Sequence, residues 1–276
     1  MDMKEDLVSV SRQIREDILN MIHQAGSGHP GGSLSAVEIL VALYFTDVMR
    51  VTPDNPANIE QDRFIISKGH AAPVIYSVLC RRGYFPDFHL STLRKLGSIL
   101  QGHPHAKHLP GLDCSSGSLG QGLSIGNGIA LGYRRRGVDR RVYCLLGDGE
   151  LQEGQVWEAA MTAAQHKLSN VCAIVDNNHV QLDGRTEDIK TIEPVAGKWR
   201  AFGWRVLEVD GHSLEELYGA YRTAMREKNR PSVIVAETIK GKGVSFMENQ
   251  AGWHGAAPDA EQLDKALAEI RKGFIP

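Results

Sequence analysis

The chain has 276 residues, of which 42% are hydrophobic and 23% are charged, and its formal net charge is -2. A nearly balanced charge of this kind favours neither a nucleic-acid partner nor an anionic membrane surface. The amino-terminal segment has no signal-peptide core, no apolar run has membrane-spanning length, and the four cysteines lack CxxC spacing, so we expect a cytoplasmic protein.

Taken in chain order, the sequence alternates amphipathic segments with short apolar runs. The spacing of apolar residues predicts helices over residues 4–25, 35–45, 71–81, 87–96, 123–135, 153–166 and 259–272, and one that begins at Ser213. Five apolar runs predict buried strands, over residues 63–67, 142–146, 171–175, 204–209 and 232–238. Strands that alternate with helices favour an α/β fold, with three layers and a mostly parallel sheet, as a single domain over residues 1–276.

The predicted helices carry two further local signals. Ser35 with Glu38, and Ser213 with Glu216, have the spacing of capping boxes at helix starts. Small residues recur in one helix, at positions 122, 126, 128, 130 and 132. They imply close packing against another backbone, either at a subunit interface or between that helix and the sheet.

The connecting segments are expected to be irregular, and they cover residues 26–33, 83–118, 181–194 and 240–257. The first and last of these segments are rich in glycine, which interrupts regular structure. Long irregular segments inside compact domains are usually functional.

The most informative stretch covers residues 145–178. An apolar run ends at Gly147-Asp148-Gly149, and after one predicted helix a second run ends at Asp176-Asn177-Asn178. Because ligands of open α/β sheets gather at the carboxyl ends of the strands, Asp148 and Asn178 are expected to meet there. Two oxygen ligands beside a glycine-flanked turn suit Mg²⁺ held jointly with a diphosphate. Two ordinary turns are the alternative.

Four histidines lie in glycine-containing loops, namely His29, His70, His103 and His254. Their spacing does not match that of metal ligands such as HxxxH. Proton transfer, or hydrogen bonds to phosphate and sugar hydroxyls, suits them better. For any one of them taken singly, a surface position is the alternative.

The two strand-end motifs together resemble a known family. GDG at residues 147–149, followed by NN at residues 177–178, resembles the thiamine diphosphate-binding motif. The sequence GDGELQEGQVWEA is similar to the transketolase branch of that family. The resemblance extends along nearly the whole chain, corresponds to the first third to half of a usual transketolase, and implies the diphosphate-binding module of the thiamine diphosphate-binding fold.

The resemblance implies a cofactor site made of strand-end and loop residues. Asp148, Asn178 and the carbonyl of Val180 would hold Mg²⁺, or another divalent cation such as Ca²⁺ or Mn²⁺. The residues at the thiamine diphosphate site would be His70, Gly117, Leu119, Gly149, Glu153, Asn178 and His254. The usual GPLG reads GSLG here, over residues 117–120.

The resemblance also implies catalytic and subunit-bridging residues. His29 and His103 would face the reacting carbons and the C1 and C3 hydroxyls of a ketose donor, and His254 would join them as a catalytic histidine close to the diphosphate. Glu153 would belong to a group of carboxylates that bridges subunits near the cofactor. The alternative for Glu153 is an acidic residue that stabilises a helix N-terminus.

Transketolases also contain a pyrimidine-binding domain, which carries an activating glutamate, and a C-terminal domain. Neither has a counterpart in this sequence. We therefore expect the N-terminal subunit of a split transketolase, completed by a separate C-terminal subunit in a dimer of heterodimers. It would transfer a two-carbon ketol unit from a ketose phosphate to an aldose phosphate in the pentose phosphate pathway. A truncated piece of a longer enzyme would have the same sequence.

Several alternatives stay open at the level of sequence. A split enzyme of this type could act on unusual sugars, such as sulfosugars or apulose phosphate. Other thiamine diphosphate branches, namely deoxyxylulose phosphate synthase and the 2-oxo acid dehydrogenase α subunit, match the motifs less well. A non-catalytic regulatory subunit would be expected to have lost Asp148, Asn178 and the loop histidines. A Rossmann nucleotide-binding protein is disfavoured by the missing GxGxxG.

Overall fold

A computed structural model describes the backbone of residues 3–273 and the side chains of residues 6–272. Its sheet consists of β1 (Arg63–Ile66), β2 (Val142–Gly147), β3 (Val171–Asn177), β4 (Arg205–Asp210) and β5 (Ser232–Glu237). The strand order is β1-β2-β3-β5-β4, and every neighbouring pair is parallel. The predicted α/β class with a mostly parallel sheet is confirmed.

Helices and short 3₁₀ turns connect the strands and cover the sheet. The helices are α1 (Met3–Ala25), α2 (Pro30–Leu34), α3 (Val37–Tyr44), α4 (Ala72–Arg81), α5 (Gly122–Arg135), α6 (Gly154–Gln165), α7 (Thr186–Lys190), α8 (Val195–Ala201), α9 (Leu214–Arg226) and α10 (Ala260–Gly273). The 3₁₀ turns are Gly69–Ala71, Asp87–Thr92, Gly149–Gln152 and Ala251–His254. In the described part of the chain, no helix combines the length and the apolar character that crossing a membrane requires.

The sheet separates two apolar cores. Along β2, Tyr143 and Leu145 belong to the core under α1, α3, α4, α9 and α10, whereas Cys144 and Leu146 belong to the core under α5, α6 and α8. Successive side chains of a strand point to opposite faces, and both faces are covered here. This is why the strands read as continuous apolar runs rather than as alternating patterns.

Two glycine-rich or polar segments were predicted to be irregular, and the structure corrects both. Residues 26–33 include the start of α2, where Pro30 occupies the first helical turn. Proline suits that position because its missing N–H would have no partner there. Residues 181–194 include α7.

The capping box predicted for Ser35 and Glu38 is wrong. Ala36 is the N-cap of α3 and makes no side-chain cap bond. The Ser35 hydroxyl instead donates to Asp176 Oδ2 at 2.5 Å. Glu38 is fully buried and accepts two hydrogen bonds from the Arg15 guanidinium, at 2.5 and 2.8 Å. Both side chains therefore bond to residues distant in sequence instead of forming the local capping bonds.

At the second predicted capping box, the Ser213 side chain does accept the backbone N–H of Glu216, at 3.3 Å. Half of the reciprocal arrangement is missing, because the Glu216 carboxylate accepts the backbone N–H of Asp210 rather than that of Ser213. At the start of α9 the serine cap is therefore confirmed, whereas the glutamate contact of the capping box does not form.

The small residues of α5 fall into two groups. A Cβ added to Gly122 would lie 2.5 Å from the Ser67 side chain, and one added to Gly126 would lie 3.3 Å from Val142 Cγ1. Tight packing of the helix on the sheet therefore leaves no room for a Cβ at Gly122 and little room at Gly126. Gly128 and Gly132 face open space, with no atom within 4 Å of an added Cβ. Packing inside the domain does not explain those two glycines.

Candidate functional site

A cavity of about 260 Å³ lies beyond the carboxyl ends of the strands. Strands β1, β2, β3 and β5 each end near it, because they run parallel in one sheet. The cavity lining includes most of the predicted site residues, namely His29, His70, Gly117, Leu119, Asp148, Gly149, Asn178, Val180 and His254. The fold therefore brings together side chains and backbone groups from several separate segments.

Two predicted residues, His103 and Glu153, lie outside the cavity lining. The His103 side chain is exposed, and the centroid of its ring lies 6.4 Å from that of the His29 ring. Glu153 is exposed at the N-cap of α6 and makes no side-chain cap bond. Its subunit-bridging role stays a prediction.

Asp148 is the buried carboxylate of the predicted metal site, with only 3% of its surface exposed. Its Oδ1 accepts the N–H of Gly149 at 2.7 Å, and its Oδ2 accepts the N–H of His179 at 2.5 Å. Burial, followed by the negative charge of Asp176, raises the pKa of Asp148 to about 6. Burial destabilises the charged form of such a carboxylate, and a bound cation would stabilise it.

The other two predicted metal ligands lie on the turn after β3. The Asn178 side-chain oxygen accepts the N–H of Val180 at 3.2 Å. The Val180 carbonyl accepts a hydrogen bond from Lys240 Nζ at 2.7 Å. Lys240 Nζ also lies 2.9 Å from His254 Nδ1, so an ammonium group links the predicted metal site to a predicted cofactor histidine.

The sequence did not single out Lys240. It is 3% exposed, and burial lowers its pKa to about 8. The sequence KGKG could have identified it, because glycines let the backbone approach a ligand closely and a lysine provides positive charge. A buried cation beside a cavity is suited to an anionic ligand.

Three histidine rings meet at the cavity wall. The ring centroids of His29, His70 and His254 are 5.1 to 5.4 Å apart. Burial is the main cause that lowers their pKa values, to about 4, about 2 and about 3 respectively. Nearby positive charges, including Lys68, Lys240 and Arg94, lower them further. All three rings are therefore neutral near pH 7, and each can donate one hydrogen bond and accept another.

An ion pair that the sequence did not single out lies at the cavity, where Lys68 is one of the lining residues. Lys68 Nζ forms a buried ion pair with Asp176 and also donates to the carbonyl of Gly32 at 2.8 Å. Asp176 in turn accepts from Ser35 and Thr238. This cluster joins the ends of β1, β3 and β5 to the segment that carries His29.

The cavity fits a diphosphate with a divalent cation. Within residues 3–273, no three His, Cys, Asp or Glu side chains could hold a metal ion by themselves. The protein oxygens near Asp148 would therefore need ligand oxygens to complete an octahedral shell, as Mg²⁺ with a diphosphate provides. Two buried atoms of lining residues, His29 Nδ1 and Gln181 Nε2, have no hydrogen-bond partner. A Cβ on Gly149 would lie 3.1 Å from Gln181 Cβ, so a larger residue there would press on another lining residue.

The fold and the site together define an α/β domain with a polar cavity at the carboxyl edge of its sheet, the place where open α/β domains bind their ligands. A family model described as "Transketolase, thiamine diphosphate binding domain" matches residues 4–275. The chain belongs to this family.

The chain resembles relatives of matching length and also full-length transketolases. It is 41% identical to an apulose-4-phosphate transketolase subunit of Phocaeicola vulgatus, over 96% of the chain and 94% of that protein. It is 43% identical to the 6-deoxy-6-sulfo-D-fructose transketolase subunit SqwG of a Clostridium species, over 97% of both proteins. It is 40% identical to human transketolase over 96% of the chain, which spans 42% of that protein.

Solved structures agree with these matches. Transketolase from Campylobacter jejuni superimposes with a TM-score of 0.89 at 32% identity, over 98% of the chain and 43% of that structure. Transketolase from Leishmania mexicana gives a TM-score of 0.90 at 30% identity, over 96% and 41%. The expected transketolase branch and the expected fold are confirmed, and the chain is a transferase of transketolase type that corresponds to the N-terminal part of the full-length enzymes.

Proposed function

We propose that the chain is the cofactor-binding subunit of a split transketolase. With thiamine diphosphate and Mg²⁺, the complete enzyme transfers a two-carbon ketol unit from a ketose phosphate to an aldose phosphate. The observation that supports this most directly is the meeting of Asp148, Asn178 and Val180 with three neutral histidines in one cavity.

The metal and the diphosphate would be held by residues of this chain. Asp148, Asn178 and the Val180 carbonyl offer oxygens to Mg²⁺, and Ca²⁺ or Mn²⁺ could replace it. Gly149, Lys240 and the histidines His70 and His254 offer hydrogen bonds to diphosphate oxygens. Gly117 and Leu119 would line the rest of the cofactor. When bound, thiamine diphosphate supplies the electron sink that breaking a carbon–carbon bond beside a carbonyl requires.

His29 and His103 would act on the sugar. Both rings have a lowered pKa, caused first by burial and then by the Arg94 guanidinium. A neutral imidazole can accept a proton from one hydroxyl and donate a hydrogen bond to another. We assign the two rings to the C1 and C3 hydroxyls of the donor, and His254, beside the diphosphate, to assistance in proton transfer.

The partner would be a C-terminal subunit that carries the pyrimidine-binding domain. Relatives of matching length are named as transketolase subunits, and full-length transketolases are more than twice as long as this chain. Leu119 and Leu182, at the cavity wall, are 36% and 65% exposed, which leaves apolar surface for a partner to cover. A dimer of heterodimers bridged near Glu153, a cytoplasmic location and a place in the pentose phosphate pathway belong to this proposal.

A titration of thiamine diphosphate with Mg²⁺ tests the proposal. It is performed with the chain alone and with the chain mixed with the product of the neighbouring gene, and each sample is then assayed for ketol transfer. We expect tight binding and turnover only in the mixture. Turnover by the chain alone would refute the split enzyme, and no binding in either sample would favour a regulatory subunit.

A split enzyme that acts on an unusual sugar is the second candidate, because two relatives of full matching length are named for apulose-4-phosphate and for 6-deoxy-6-sulfo-D-fructose. The mixed subunits would be assayed with these two donors and with common ketose phosphates. The ratio of kcat/KM values among the donors decides between the two candidates.

A further inference from the structure

Glu150 is a buried carboxylate in the cavity wall, and neither the motif nor the resemblance assigned it a role. It is 3% exposed and follows Gly149 directly. Its Oε1 accepts the N–H of Gly120 at 2.8 Å and the hydroxyl of Ser67. Its Oε2 accepts the N–H of Gly147 at 3.0 Å.

The three donors belong to three separate segments. Ser67 follows β1, Gly147 ends β2, and Gly120 lies in the loop that carries Gly117 and Leu119. The Ser67 hydroxyl also accepts the N–H of Gly122, the first residue of α5, at 3.1 Å. One carboxylate therefore connects the 117–122 loop region, directly and through Ser67, to the adjoining strand ends.

The neighbourhood leaves the loop little room to move. A Cβ on Gly69 would lie 2.8 Å from the backbone nitrogen of Gly117, and one on Gly117 would lie 3.3 Å from the His103 ring. Backbone segments that leave no room for a Cβ between them need a defined loop position, which non-directional apolar packing does not provide. Directional hydrogen bonds to Glu150 do provide it.

The three donors also match the side-chain type of Glu150. All three present hydrogens, and a carboxylate only accepts. A glutamine in the same place would have one oxygen, and its NH₂ would face an N–H or O–H that also needs an acceptor.

We propose that Glu150 is a positioning residue, which fixes the 117–122 loop so that Gly117 and Leu119 stand in place for the cofactor. The identity of that cofactor rests on the proposed function. Glu150 itself acts through the loop and does not participate in the chemical step. Its loss therefore weakens cofactor binding and raises the KM for cofactor, whereas kcat at saturating cofactor changes little, because the bound ligand holds the loop again.

The experiment compares the wild-type chain with Glu150→Gln and with Glu158→Gln, which alters an exposed carboxylate on α6. Hydrogen exchange is measured on the chain alone, in peptides that cover residues 117–122 and, as a reference, β3. Thiamine diphosphate is then titrated with Mg²⁺, and kcat and KM for the cofactor are measured with the partner subunit.

We expect Glu150→Gln to speed exchange in residues 117–122 only, and to raise the cofactor Kd about 10- to 100-fold, as the loss of buried hydrogen bonds to a charged group implies. Glu158→Gln should match wild type in every measurement. If Glu150→Gln does not fold, Ser67→Ala takes its place, since it removes one donor and keeps the carboxylate.

Unchanged exchange in residues 117–122 would overturn the proposal, and so would an unchanged Kd. Faster exchange in β3 as well would show a general structural role and would also overturn it. If the wild-type chain with its partner did not bind thiamine diphosphate, the proposed function would fail. The exchange measurement would still decide whether Glu150 holds the loop.

Discussion

The raised pKa of Asp148 has a measurable cost to folding. Its value of about 6 compares with 3.8 for an unperturbed aspartate. A carboxyl group with a higher pKa in the folded state binds its proton more tightly when folded. The cost is therefore absent below the unfolded pKa, grows as pH rises, and is complete above about pH 6.

The magnitude follows from the two pKa values. At about pH 8 the full shift corresponds to about 3 kcal/mol of lost folding free energy, and at about pH 5 roughly half of that remains. Asp148→Asn removes the charge and this cost. It also loses a hydrogen bond from Gly149 or His179, but that loss does not depend on pH. The difference in unfolding free energy between variant and wild type should therefore shift by about 1.4 kcal/mol between these two pH values.

Urea denaturation followed by tryptophan fluorescence measures this difference, without metal or cofactor. The variant should gain stability relative to wild type as pH rises. Asp139→Asn changes a carboxylate outside the buried site and should show no such trend. A variant-minus-wild-type difference that is equal at both pH values would refute the assignment of a raised pKa to Asp148.

The raised pKa of Asp148 also predicts that the affinity for a cation depends on pH. Because the cation competes with the proton on Asp148, the Kd for Mn²⁺ should be about tenfold higher at about pH 5 than at about pH 8. Water-proton relaxation measures Mn²⁺ binding without the cofactor, whose diphosphate has its own titration. A Kd that does not depend on pH would mean that Asp148 does not bind the cation.

Three further variants test other parts of the site. His103→Ala should slow donor cleavage while cofactor binding persists, because His103 lies outside the cavity lining; titration and single-turnover assays separate the two effects. Lys240→Met should raise the cofactor Kd about 10- to 100-fold, because it removes a hydrogen-bonding charge, as calorimetry would show. Asp176→Asn should cost about 3 to 5 kcal/mol of unfolding free energy, because Lys68 keeps its buried charge without a partner, and denaturant titration measures it.

Each of these expectations has an outcome that contradicts it. Loss of cofactor binding in His103→Ala would place that ring in the cofactor site rather than beside the sugar. Normal affinity in Lys240→Met would remove the ammonium from the diphosphate contacts. A small loss of stability in Asp176→Asn would mean that Lys68 finds another partner or releases its proton. Glu208→Gln, an exposed change on β4, serves as the stability control.

Much of the fold was predictable because its signals are local. Apolar runs and helical spacing located all five strands and the long helices, with strand ends within two residues. The runs were continuous because both faces of the sheet are covered, as expected for parallel strands. Short helices such as α2 and α7 were missed, since five residues with glycine or many polar side chains carry too little periodic signal.

Tertiary contacts overrode one local signal completely. Ser35 and Glu38 have capping-box spacing, yet their side chains bond to Asp176 and Arg15, which lie 141 and 23 residues away. A buried polar group must find a partner, and the partner nearest in space was not the one nearest in sequence. Spacing alone therefore could not show what these two residues do.

The sequence by itself determined the position of the site, because parallel strands bring Asp148 and Asn178 to one edge whatever the details of packing. Only the tertiary structure decided which other groups join them. Lys68, which lines the cavity, forms an ion pair with Asp176, 108 residues away, and Glu150 rather than Glu153 is a buried acid of the cavity wall. Local periodicity records which face of an element is buried, whereas hydrogen-bond partners and pKa values depend on atoms that only the folded chain brings together.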